Sequence, residues 1–402
     1  MIGRNAVNIP IGDDFYCALL FVQQFQDNPD YLEKFNLLFG QWVEHRILYS
    51  RLVALVSYWL TGQVNFLVMI WIGNLKLVGI ILFFTQCFRR LDLQGYFLLP
   101  VLLTMFTPAM YEGNLWAGAS TVYMPVCLMG CIAVNLLVKG TRPAFLGATA
   151  IAIQATFSFG NGMLLFISGA IVLLILRRSR LTLIWIVTGM ITVIVYFTNF
   201  RAHSATDAFS VVSHFRHPPY FCYNFLAFVG GIFDYTDNTN CPVDISNVFG
   251  IGLGLFEVVT LCYISVLLLM RTLPGWDGDQ KRKEAVAWLG INSFLFVTAL
   301  AIAYSRTSND VLTTLSSRYK IYSMLFLVMI YWGVLLYFGR KRIVGFAFSC
   351  LCFSLLIFNF YVYYGKMVAF KSSYLAGLYN YHRNHKWLSI AIHPILNDRP
   401  KL

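Results

Sequence analysis

Apolar stretches of about twenty residues recur along this chain, and no other feature narrows its fold as much. Surrounded by lipid, such a stretch satisfies its own backbone hydrogen bonds only as a helix. Composition agrees. Of the 402 residues 58% are hydrophobic and 12% charged, with mean hydropathy +0.66. A soluble domain carries roughly twice that charge fraction. The sequence therefore predicts an all-α, polytopic transmembrane helical bundle. Ten spans are read, near 63–88, 95–110, 116–138, 143–159, 162–176, 181–198, 247–270, 285–304, 320–339 and 343–364. An eleventh apolar stretch, about 221–233, is too short to cross easily and reads as re-entrant or packed on the bundle.

This frame divides the chain into an N-terminal segment 1–62, a bundle 63–364 with a long loop 199–246, and a tail 365–402. No cleavable signal peptide is evident. An amphipathic run from Ile47 to Leu60 predicts an interfacial helix. A polar N-terminus outside, with no span before it, leads to the expectation that a first helix is missing.

The net charge of +12 first brings nucleic acid to mind, but its distribution excludes that partner. Arg and Lys cluster between apolar segments, at Arg89-Arg90, Arg177-Arg178 with Arg180, and Arg340-Lys341-Arg342. With the first loop outside, five connectors carrying fourteen of the thirty Lys and Arg fall inside, as the positive-inside rule requires. The N-terminal segment, the 111–115 loop, the 199–246 segment and the 305–319 loop then share the outer face, with most of the acids. Most of the nine cysteines lie in apolar segments and read as small hydrophobes. Cys222 and Cys241 fall in the long loop, where a disulfide or two free thiols both fit. No cysteine or histidine spacing marks a metal site.

Candidate chemistry gathers on the outer face. The adjacent carboxylates Asp13 and Asp14 suit a general base or metal ligand, and equally the N-cap of the run from Phe15. Glu44-His45-Arg46 combines a base, a proton relay and a forked phosphate donor, with Arg51 nearby; the plainer reading is a membrane-surface helix with snorkelling charges. Arg306, Arg318 and Tyr319 suit either a lipid diphosphate or interfacial anchoring. Arg201, His203, Arg216 and His217 are weaker candidates of the same type. Lys76 and Glu257 lie inside apolar spans, where a charge costs roughly 2.5–3.5 kcal/mol and calls for a cavity or a partner.

Four ordered stretches carry a resemblance: Glu44-His45-Arg46-Ile47, Glu112-Gly113-Asn114-Leu115-Trp116-Ala117-Gly118, Phe157-Ser158-Phe159-Gly160-Asn161-Gly162, and Arg306 with Ser317-Arg318-Tyr319. Together they span roughly 40–320. In them the chain resembles uncharacterised bacterial multi-pass proteins similar to the GT-C glycosyltransferase superfamily. The resemblance implies a GT-C-like bundle in the bacterial inner membrane, with its active face towards the periplasm. A polyprenyl-phosphate sugar is the implied donor, and no cofactor is required, though a divalent metal is possible. Asp13, Asp14 or Glu44 becomes the catalytic carboxylate, acting as base. His45, Arg46, Glu112, Asn114, Asn161, Arg306, Arg318 and Tyr319 become substrate contacts. The missing first helix and the lack of a large C-terminal domain depart from that pattern. An O-antigen-type polymerase or ligase, a lipid-sugar flippase and a structural scaffold are the competing readings.

Overall fold

The structure is a computed structural model, and it describes residues 1–201, 218–234, 245–272, 279–306, 313–339 and 341–384. The long segments are helical, as their unbroken apolarity dictates. Among the described residues, seven helices are long and apolar enough to cross a bilayer: Phe66–Arg90, Ala117–Lys139, Ser179–Phe197, Val248–Thr272, Gln280–Ser305, Ser317–Phe338 and Arg342–Arg383. Compared with the ten predicted spans, three are shorter. The 95–110 span is broken into a turn at Gly95–Leu98, a helix Leu99–Met105, a second turn at Pro108–Met110 and a helix Tyr111–Leu115. Pro108 supplies no amide donor, and the Thr107 side chain caps the turn instead. The 143–159 span is the 17-residue helix Arg142–Ser158, about 25 Å long and short of the roughly 30 Å hydrocarbon core. The 162–176 span is a tight turn Gly160–Leu164 leading into the helix Leu165–Ile175. At the other extreme, the last helix runs through Asn384 rather than ending near 364.

Ala117–Lys139 is the hub and packs on Phe66–Arg90, Arg142–Ser158, Leu165–Ile175 and Asp279–Arg306. Small residues permit this. A Cβ on Gly73 would lie 2.4 Å from Ser120 Oγ, so only glycine lets these two helices approach so closely. Ser317–Phe338 is the most enclosed span, whereas Ser179–Phe197, Val248–Thr272 and Arg342–Arg383 are mostly exposed. Their Leu183, Ile194, Phe256 and Phe346 are exposed, as side chains facing lipid would be. At one end of the bundle Arg90 bridges Glu284 at 3.1 Å and donates to Asn135 at 2.8 Å, tying three helix ends together. Near the opposite end Lys320 is buried and bridges Asp234 at 3.1 Å, with the Tyr363 hydroxyl on both partners.

The N-terminal segment folds over that second end. The predicted amphipathic helix forms as Leu48–Thr61, but half of it is buried against the bundle. The helix Tyr31–Phe39 is the outlying one, with Tyr31, Leu32 and Phe35 exposed. Between them Gln41–Trp42 and His45–Arg46 pair as a two-residue antiparallel hairpin, so Glu44 sits in a tight turn rather than at the start of a helix.

Lys76 and Glu257 do not pair among the described residues. The Lys76 ammonium lies 4.9 Å from the Tyr49 ring centroid, a cation–π contact. Glu257 is buried, and among the described residues neither carboxyl oxygen has a hydrogen-bond partner. Cys222 is a free, exposed thiol; Cys241 lies outside the described residues.

Candidate functional site

A cavity of about 330 Å³ opens at the end of the bundle opposite the Arg90–Glu284 pair. Asp13, Asp14, Glu44, His45 and Arg318 all line it, beside Cys17, Trp42, Trp116, Tyr123 and Phe159. Five of the candidate residues, separated by up to three hundred positions in sequence, thus share one hollow.

The two adjacent acids divide their roles. Asp14 is only 1% exposed. Its Oδ2 accepts from Ile11 N at 3.1 Å and its Oδ1 from Gly118 N at 2.9 Å. Gly118 is in the first turn of the Ala117–Lys139 helix, whose own N-cap, Trp116, provides no side-chain acceptor. Asp14 therefore caps a helix a hundred residues away, at its electropositive end. The N-cap expectation holds in kind, but for a different helix. Burial dominates the acidity of Asp14 and pushes its pKa from 3.8 up to about 7; the hydrogen bonds from the Ile11 and Gly118 amides only partly offset it. Asp13, by contrast, is exposed and lines the cavity, and among the described residues its carboxylate makes no hydrogen bond or ion pair.

Glu44 is presented by the hairpin turn. Its neighbour Val43 has φ of +48°, which a β-branched side chain adopts only under strain. The flanking pairs hold that turn in place, Gln41 opposite Arg46 and Trp42 opposite His45. The His45 ring packs 4.3 Å from Phe159, and Trp42 stacks on Tyr16 at 5.3 Å.

Arg318 enters from the far end of the sequence. Its guanidinium lies over Trp116 and Tyr319, with centroids at 5.8 and 5.5 Å. Among the described residues no carboxylate lies within salt-bridge distance of it, though the Glu112 charge acts on it, and its Nε is buried without an acceptor; the Trp42 indole N–H is in the same condition. The cavity wall thus carries unused donors. Glu112 fixes the Arg318 backbone: its Oε2 accepts from Arg318 N at 3.2 Å and Ser316 Oγ at 2.9 Å. Ser317 Oγ in turn accepts from Glu112 N at 3.2 Å and donates to Ala109 O at 2.8 Å.

Other candidates lie elsewhere. Arg46 spends its donors on the carbonyls of Phe39, Tyr196 and Thr198, and Arg51 on those of Leu38 and Gly40. Both arginines hold the N-terminal segment to the bundle rather than awaiting phosphate. Glu112 and Asn114 are not among the residues lining the cavity; the Asn114 carbonyl accepts from Asn74 Nδ2 at 3.0 Å. Asn161 donates to the Tyr322 hydroxyl at 2.8 Å. It lines a separate, mainly apolar slot of about 190 Å³ with Tyr319, Met163, Leu164 and Ile302, and this slot shares His45 and Phe159 with the main cavity. Arg201 and Arg46 border a second, more open basin of about 610 Å³ beyond the hairpin. Arg306 ends its helix, and its side chain, like His203, Arg216 and His217, lies outside the described residues. Among the described residues no group of three or more His, Cys, Asp or Glu is placed to hold a metal ion.

Sequence reasoning missed Trp42, Trp116, Tyr123 and Phe159 as walls. Trp42, Trp116 and Phe159 adjoin the charged motifs, and Tyr123 sits two turns into the helix that Trp116 precedes. Compared with known proteins, the chain matches no family model, no curated protein and no solved structure. The likeness to GT-C enzymes rests on the short sequence stretches alone.

Proposed function

We propose that this cavity transfers a sugar from a polyprenyl-phosphate donor to an acceptor hydroxyl, on the membrane face opposite the basic connectors. One observation carries the reading. The exposed Asp13, the half-buried Glu44 and Arg318, which makes no salt bridge among the described residues, line one hollow at that end of the bundle, where the Arg318 Nε and the Trp42 indole N–H are buried without acceptors among those residues. A donor anchored by its lipid presents its phosphate at that depth. The adjoining apolar slot offers room for the first part of its chain.

In this scheme Asp13 or Glu44 takes the proton of the acceptor hydroxyl. The freed oxygen attacks the anomeric carbon as the bond to the phosphate oxygen breaks. The phosphate leaves with the bonding pair, and Arg318 stabilises the charge that develops there. Configuration inverts in one displacement. A divalent ion, if one takes part, would meet the same carboxylates, and no step here is routed through it. The positive-inside rule puts the site on the exterior or periplasmic side.

His45 also lines the cavity with Arg318, the pair that an O-antigen-type polymerase or ligase would depend on. One experiment separates the two readings. Proteoliposomes containing the full chain are supplied with labelled polyprenyl-phosphate sugars and envelope-glycan acceptors. Glycosidic product that falls by about 10²–10³ with Arg318→Ala and at least as far with the double change Asp13→Asn, Glu44→Gln supports the transferase. Full activity in the double variant favours the polymerase or ligase. Passage of labelled lipid across the bilayer with no product indicates a flippase.

A further inference from the structure

The last helix is longer than a membrane requires. Its 43 residues extend about 64 Å, against roughly 40–45 Å for a bilayer with its headgroups. It begins at the basic end, where Gly345 meets Phe97, and passes Thr104 through Cys352. Tyr363 then joins the buried Lys320–Asp234 pair. Beyond that level the same helical face continues at positions 367, 370, 374 and 378, the i, i+3, i+4 spacing of a one-sided stripe. Each of those residues meets the structure around the cavity. Asn5 Nδ2 contacts Met367 Sδ at 3.8 Å, and Phe370 packs edge-on to Tyr111 at 5.6 Å. Tyr374 is buried with Ile9 and Ile11, and Trp116, Phe370 and Leu378 pack around them. Between them Lys371 Nζ donates to Arg4 O at 2.6 Å.

Ile11 is also the residue whose amide holds Asp14 Oδ2, and Asp14 holds the helix end beside Trp116. A chain of contacts therefore runs from Tyr374 through Ile11 and Asp14 to Gly118. We infer that the extension of the last helix beyond the membrane is a strut that positions the acidic wall of the cavity, with Tyr374 and Phe370 as its positioning residues. Neither residue lines the cavity, so both act through the 9–14 loop and Trp116. The contacts that tie Tyr374 to the loop are packing contacts, so ring volume at 374 carries the role, and the hydroxyl, which feels the Asp14 and Glu112 charges without a hydrogen bond to either, adds little to it.

Cys17 reports on this wall directly, because it lines the cavity three residues after Asp14 and is buried. The full chain in proteoliposomes is treated with a small maleimide, and adducts are located by mass spectrometry. Tyr374→Ala should speed Cys17 alkylation at least about tenfold, through local opening of the loop, while Cys87 in the bundle core stays protected. Tyr374→Phe should stay within about twofold of the parent. An unchanged Cys17 rate in Tyr374→Ala overturns the inference, and so does a Phe variant as reactive as the Ala one. Should Tyr374→Ala also expose Cys87, the milder Phe370→Leu decides: faster Cys17 labelling with Cys87 protected supports the strut, and no change overturns it. The consequence for catalysis rests on the transferase reading: Tyr374→Ala would lower kcat and leave KM for the lipid donor near the parent value. The thiol measurement needs no sugar donor, so the strut and the transferase reading can fail independently.

Discussion

Asp14 is a carboxyl whose burial should be visible in the pH dependence of stability. In the unfolded chain it titrates near 3.8, and in the folded protein near 7. The native state therefore holds the proton more tightly than the unfolded chain does. Between those two values the unfolded chain has lost its proton while the native state still keeps it, so stability falls as pH rises. The contribution is fully present below about pH 4 and is lost as pH passes 7. The gap corresponds to at most about 4 kcal/mol. Asp14→Asn removes the titration and keeps the shape. Its amide presents a donor to one of the two N–H groups, which costs about 1–3 kcal/mol at every pH and shifts the intercept but not the slope. The assay is thermal unfolding of the detergent-purified parent and variant from pH 4 to pH 8.5, followed by tryptophan fluorescence. The difference between the two cancels other titrating groups. The parent should lose ground to the variant from pH 4 to 7 and level off above about 8. A flat difference, or a parent that gains on the variant over that window, would refute the burial argument.

Two further substitutions test the surroundings of the site. Glu112→Ala frees the Ser316–Arg318 backbone and removes a charge that acts on the guanidinium, so transfer should fall about 10–100-fold with the fold intact, and Glu112→Gln, which restores the backbone bonds but not the charge, should recover part of it; turnover and circular dichroism measured together check this. Glu257→Leu removes a buried carboxyl that has no hydrogen-bond partner, so the detergent-solubilised variant should melt at least as high as the parent and transfer at the parent rate.

Much of this architecture is legible in the sequence because lipid imposes a simple rule. Long apolar runs must be helices, and Phe66–Arg90, Ala117–Lys139 and Ser179–Phe197 fall where the runs do. The shorter pieces were harder to read, since Leu99–Met105 and Leu165–Ile175 are apolar enough to pass for spans although turns interrupt them. The candidate acids and Arg318 were legible as residue types on one face, because charge segregation sets which loops share a side. What each side chain does there was not. Arg46 resembles a phosphate ligand until the carbonyls of Tyr196 and Thr198 are seen to occupy it. Asp14 resembles a local cap, yet its partner Gly118 is distant in sequence and adjacent only in the folded chain. The extension of the last helix was also hidden, because its residues 365–384 are mixed in polarity and only their contact with Ile9 and Ile11 gives them a face.

The most direct test uses a photoactivatable polyprenyl phosphate in proteoliposomes containing the full chain, with adducts mapped by mass spectrometry. A lipid-phosphate site predicts adducts on the hairpin and on the start of the Ala117–Lys139 helix, from Trp116 to Tyr123, displaced by unlabelled polyprenyl phosphate and lost with Arg318→Ala. Adducts confined to the outward faces of Ser179–Phe197 and Val248–Thr272, or indifferent to the loss of Arg318, would contradict it.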